Sequence, residues 1–166
     1  MIKHFGFFTY LFNSLGSFIQ KRLAKSVGTR PGIDMLLAIK TAKDIGAGVV
    51  LIDQDVEILF KKISRQVPLS EKLRLFFSFF SDSKLKKEFA NFDITQVPPE
   101  EMINHLVHHL RKKLPNIYRI LIFERNLYMA RKILSLYNDF PQKNILAVVG
   151  AGHAKDIANL VRLHAR

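Results

Sequence analysis

Val49-Val50-Leu51-Ile52-Asp53-Gln54-Asp55 is the stretch on which the reading of the chain turns. Four consecutive β-favouring apolar residues stop at an acidic pair. An apolar run of this length without alternation suits a strand buried on both faces, as in a parallel sheet. Ile145-Leu146-Ala147-Val148-Val149 reads the same way and stops at Gly150-Ala151-Gly152-His153. The pattern is helix, strand, several helices, strand, helix. It predicts an α/β fold, mostly helical, with a small parallel sheet. Two strands are too few for a sheet of ordinary size. The reading therefore expects further strands, from this chain or from a partner.

Outward from the first run, helical spacing fills most of the sequence. Ile33–Ile45 lies between the break Gly28-Thr29-Arg30-Pro31-Gly32 and the terminating Gly46-Ala47-Gly48. Val56–Ile63 comes next, with Lys61, Lys62 and Arg65 suited to its last turn. Ser70 is the expected N-cap of a helix over Glu71–Phe80, whose Leu73–Phe80 part is too apolar for a surface helix and reads as core, lid or interface. Lys84–Phe89 reads as a short polar helix or loop. Pro98-Pro99 opens a helix to about Lys113, and Pro115 precedes the longest, Asn116–Tyr137, which is apolar nearly all round and so expected to be central.

The 166 residues are 48% hydrophobic and 24% charged, a globular composition for one domain. No cysteine is present. Disulfides, thiolate metal sites and a cysteine nucleophile are thereby excluded. The net charge is +12, with +5 in residues 1–47, balance in 48–100 and +7 in 101–166. A basic chain is drawn to nucleic acid or anionic lipid, although basic helix faces are the plainer reading and nucleic acid is the less favoured partner. Phe5–Ile19 is apolar at helical spacing but too short to span a bilayer. It predicts an amphipathic helix within residues 1–27, covering apolar surface or lying on a membrane, ahead of a single domain over 28–166. The expected location is cytoplasmic or peripheral to the cytoplasmic membrane.

Three groups of residues could carry chemistry. If the two strands are parallel, Asp53 and Gly150–His153 meet at one carboxyl edge, where open α/β sheets bind ligands. Gly150 and Gly152 would allow a tight turn, and His153 would stand near a helix N-terminus as proton carrier or metal ligand, or merely as a cap. A dinucleotide site is excluded in detail, since Lys155 stands where a third small residue is needed. Second, Glu124-Arg125-Asn126 interrupts the apolar helix. Three successive residues cannot all face water there, so at least one needs a built partner, in a structural ion pair or an active site. Third, His105, His108 and His109 share a helix. His105 and His109 could share a metal, but no Glu lies between them as in the metalloprotease helix, and a solvated face is the plainer reading.

Together, Arg30-Pro31-Gly32-Ile33-Asp34-Met35, Val50–Glu57, Tyr118–Met129 and Val148–His153 are similar in order and spacing to the TraB/PrgY family of pheromone-shutdown proteins, related to the Tiki and GumN groups. The resemblance covers roughly residues 28–158. It implies a fold of the erythromycin-esterase/ChaN-like type and a metal-dependent peptidase or hydrolase site. Two G-x-x-H motifs, an acidic residue and an Arg would build that site. Gly150–His153 matches the second motif, Arg125-Asn126 the Arg-Asn or Arg-Asp pair, and Asp53 the acidic end of the middle strand. Gln54 departs from the usual Arg.

The first motif and its two strands have no counterpart here, so the resemblance implies the C-terminal part of the family domain. Its catalytic set is then incomplete, and whether this chain acts as an enzyme by itself is left open. The implied roles are His153 as metal ligand or proton carrier, Arg125 to stabilise an oxyanion or hold a carboxylate, Asn126 to orient substrate or Arg125, and Asp53 as acid/base or as a supporting partner, with Glu124 counted among the catalytic residues. A divalent Mn, Co or Zn ion, and no nucleotide, is the expected cofactor. A peptide is the expected substrate or ligand, and a second copy or another chain the expected supplier of missing strands. The rival reading is a non-enzymatic module that binds a peptide or partner through Leu73–Phe80 and the N-terminal aromatic stripe.

Overall fold

A computed structural model describes residues 32–81 and 99–164, the side chains of 76–81 excepted. The expected helix over Phe5–Ile19 and the Lys84–Phe89 segment lie outside these residues. So does the side-chain packing of Phe76–Phe80.

Seven α-helical segments make up the described residues: α1 Ile33–Asp44, α2 Val56–Gln66, α3 Leu69–Ser81, α4 Glu100–Lys113, α5 Pro115–Tyr118, α6 Glu124–Asp139 and α7 Ala151–His164. Between α5 and α6, Arg119–Phe123 forms a π-helical turn, closed by the Glu124 N–H donating to the Arg119 carbonyl. The backbone stays helical through both junctions, so Pro115–Asp139 is one long helix with a wide turn inside it.

This corrects the expected fold class. Among the described residues there is no strand and no sheet, and the architecture is all-α. Val49–Ile52 and Ile145–Val149 are irregular segments. The physical reason is that a strand exists only through a paired neighbour, and apolar β-rich composition cannot supply one. Their side chains are correspondingly uncovered. Leu51 is 80% and Leu146 90% exposed.

The core lies where α2 meets the first half of the long helix. Leu59, Ile63, Val67, Leu114, Ile117 and Ile120 form one buried cluster, with Leu75, Leu110 and Leu121 against it. In α2 the apolar side chains at Leu59 and Ile63 turn inward at i, i+4, while Asp55 caps the first turn by accepting from the Glu57 N–H at 2.6 Å. Farther along, the long helix buries a different face, Asn126, Met129 and Ala130, on the side where α6 packs along α7. Two buried faces explain why its sequence looks apolar nearly all round.

Glu71 of α3 is only 5% exposed, and its carboxylate closes the start of α5. Oε1 accepts from the Ile117 N–H at 2.9 Å and Oε2 from Asn116 Nδ2 at 2.8 Å. A negative charge suits the free amides of a helix N-terminus, where Pro115 has none to offer. Ser70 is not the start of α3. That helix begins at Leu69, with the Glu71 and Lys72 N–H groups donating to the Pro68 carbonyl.

Candidate functional site

The π-helical turn sits immediately before Glu124-Arg125-Asn126 and sets the directions of their side chains. Single π turns inside α-helices recur at functional sites, because they displace the downstream residues by one position. The three side chains find three separate partners.

Arg125 reaches back to the end of the Val49–Ile52 segment. Nε donates to Asp53 Oδ1 at 3.1 Å and Nη2 to Oδ2 at 2.6 Å, a two-pronged pair, while Nη1 donates to the Leu121 carbonyl at 3.1 Å. The Gln54 N–H also donates to Asp53 Oδ1 at 2.7 Å. Partial burial pushes the Asp53 carboxyl up, but the hydrogen bonds and positive charge of Arg125, helped by the Gln54 N–H, hold it below the usual range. The Gln54 side-chain oxygen is buried with no hydrogen-bond partner.

Asn126 is 2% exposed and bridges to α7. Its Oδ1 lies 2.6 Å from His153 Nδ1, and its Nδ2 donates to Asp156 Oδ2 at 3.1 Å. His153 is 9% exposed and sits in the first turn of α7, its own N–H donating to the Gly150 carbonyl at 2.9 Å. Burial, then the charge of Arg125, pushes its pKa below the ordinary value, against the opposing pull of Asp53 and Asp156. Both effects favour the neutral imidazole.

Glu124 goes elsewhere. It pairs with Lys62 of α2 at 2.7 Å and with Arg119 at 3.4 Å, tying the long helix to α2. The structure thus brings Asp53, Arg125, Asn126 and His153 into one electrostatic neighbourhood and gives Glu124 a structural ion pair. Asp156, which the sequence reading missed, joins the site. The available signal was its place three residues after His153, on the same helix face. Gly150 and Gly152 do not take left-handed backbone angles. A Cβ at Gly150 would meet His153 Cδ2 at an ordinary 3.6 Å, and one at Gly152 would meet nothing. His105 and His108 are exposed on α4 and His109 is half-buried there.

A metal ion finds no ready set of donors. Among the described residues no three His, Asp or Glu side chains gather to hold one. Both oxygens of Asp53 are already taken by Arg125. Nε2 of His153 is the open donor, and a divalent ion there would need ligands from outside the described residues.

The shifted imidazole makes stability depend on pH with a definite sign. Between its lowered folded value and the ordinary 6.5, the unfolded chain binds a proton that the folded chain does not. Stability should therefore fall as pH drops through this window. We expect the urea midpoint to decline from about pH 7 to about pH 5, and the decline to shrink in His153→Gln. An equal slope in both proteins would assign the dependence to other groups. The contribution of Asp53 is lost only at lower pH, as its depressed folded value is crossed.

Comparison with known proteins bears out the family resemblance. The family model described as "TraB/PrgY/gumN family" matches residues 8–166. That span includes most of the segment read as a separate N-terminal helix. An uncharacterized protein of Methanocaldococcus jannaschii is 29% identical over 147 residues, which are 86% of this chain and 35% of that protein. The chain thus spans about a third of the length of the curated relative it matches. No solved structure matches it. No helix of the described residues is long and apolar enough to cross a membrane.

Proposed function

We propose that this chain, which belongs to the TraB/PrgY/gumN family, carries the histidine half of a peptide-hydrolysing site. The observation that carries the reading is the buried His153, fixed by Asn126 beside the Asp53–Arg125 pair in surroundings that favour its neutral form. A neutral imidazole with one nitrogen tethered and the other open is the form that accepts a proton. In the proposed step, a water attacks a peptide carbonyl and gives a proton to Nε2 of His153, and the tetrahedral adduct then collapses with cleavage of the C–N bond as the imidazolium returns that proton to the departing amine. The carbonyl oxygen gains negative charge, and the Arg125 guanidinium supplies the compensating positive charge nearby. Asp53 positions that guanidinium. A metal-assisted version would need donors beyond those described, and no step is assigned to a metal.

The test is cleavage of an unstructured peptide, monitored by mass spectrometry, with Mn²⁺, Co²⁺ and Zn²⁺ each present in turn. His153→Ala is expected to lose about 100-fold or more in rate. No cleavage by the folded protein under any of these conditions, or equal cleavage by His153→Ala, would remove the hydrolytic reading. Calorimetric titration with the same ions, beside His153→Ala, reports separately whether His153 takes part in metal binding.

The second reading, a non-enzymatic partner-binding module, is favoured by the uncovered apolar side chains. Leu36 and Leu37 of α1, with Leu51 and Leu146, face solvent, and α1 has no buried residue. It would act as a homo-oligomer or with another chain, at an anionic membrane surface in the peripheral version. Light scattering, with peptide- and vesicle-binding measurements, tests this second reading. A stable monomer that binds neither peptide nor anionic vesicles would remove this second reading.

A further inference from the structure

Asp156 takes no part in the step proposed above, yet it is half of the reason His153 stands as it does. It lies three residues after His153 on α7, so both side chains project from one face of the helix toward α6. Asn126, buried between them, touches each with a different atom.

The chemistry of these atoms leaves one arrangement. A carboxylate at neutral pH only accepts hydrogen bonds. The Asn126 amide must therefore turn its NH₂ toward Asp156, which leaves its oxygen facing His153. An amide oxygen also only accepts, so the proton on the neutral ring must sit on Nδ1. The lone pair is then on Nε2, which has no hydrogen-bond partner among the described residues. Had the amide been reversed, NH₂ would face Nδ1, the lone pair would sit there, and Nε2 would carry the proton.

We infer that Asp156 is a positioning residue that, through the Asn126 amide, fixes His153 in the Nδ1–H tautomer and so makes Nε2 the basic nitrogen. The inference rests on the reading of His153 as the proton acceptor, and specifies which of its atoms does the work. It gives Asp156 a role beyond joining α6 to α7, because the amide orientation that the carboxylate imposes also decides which imidazole nitrogen carries the proton.

The experiment is a long-range ¹H–¹⁵N correlation spectrum of the full chain, ¹⁵N-labelled at histidine, recorded where His153 is neutral. The wild type is expected to show the Nδ1–H tautomer. Asp156→Asn retains an acceptor for the Asn126 NH₂ and is expected to keep that tautomer without the charge. Asp156→Ala frees the amide and is expected to lose the Nδ1–H signature in favour of Nε2–H or a mixture. An Nε2–H tautomer in the wild type overturns the inference outright. So does an unchanged Nδ1–H signature in Asp156→Ala, which would make the amide orientation independent of Asp156. The wild-type spectrum decides even where Asp156→Ala does not fold. Since the readout needs no turnover, a protein that cleaves no peptide can still show the predicted tautomers, and the failure of either idea is told from that of the other.

Discussion

Asn126→Ala is expected to lose about 2–4 kcal/mol of stability. Part of this is the cavity left by a side chain that is 2% exposed between α6 and α7. The rest is the buried His153 Nδ1, which would lose its partner, and a stranded buried polar group costs about 1–3 kcal/mol, whereas the exposed Asp156 carboxylate can turn to water. Urea denaturation monitored by circular dichroism measures it. Asn126→Asp is the informative companion. It keeps the volume, but sets a second carboxylate against Asp156 and a negative charge against the ring, so it should raise the affinity of His153 for a proton while also destabilising. A loss of less than about 1 kcal/mol in Asn126→Ala would mean that α6 and α7 close over the gap and that the bridge is not what holds them.

Glu71→Ala should cost about 2–3 kcal/mol at the other end of the same long helix. The substitution strands the buried Ile117 N–H and the Asn116 amide, and removes the negative charge from the start of α5. Glu71→Gln, which retains one acceptor oxygen, should recover part of this. The two variants separate hydrogen bonding from charge. If Glu71→Ala were as stable as the wild type, a water must take over both donors and the carboxylate would be dispensable.

How much the sequence disclosed depends on how far each signal reaches. Helices were legible because their signals are local. The Gly32 and Gly46 boundaries of α1, Asp55 before α2, and Pro115 before the long helix all act within one turn. Asp53, Arg125, Asn126 and His153 were legible as polar residues in apolar surroundings, and the structure brings them together. The sheet was inferred from composition alone, but pairing is a relation between distant segments that no single run contains. Glu124 looked like part of the site because it adjoins Arg125. About 100° of helix rotation between neighbours sends it to Lys62 instead. Asp156 was hidden for the opposite reason. On a helix surface an Asp is unremarkable until the Asn126 it holds is seen to come from another element. Glu71, likewise, was read only as a member of a helix, and its buried role depends on a contact 46 residues away in sequence.

The wide turn at Arg119–Phe123 ties the site to chain length. A π turn is an α-helix with one residue too many, and removing any one of these five would let the helix close to its ordinary pitch. Everything after it would then rotate by about 100° relative to Ile117 and Ile120. Arg125 would swing away from Asp53, and Asn126 would no longer face α7, although no residue of the site had been replaced. The polar cluster is thus coupled to a counting error in its own helix, like a key cut one tooth long, and insertion or deletion there is a sharper threat to it than most substitutions.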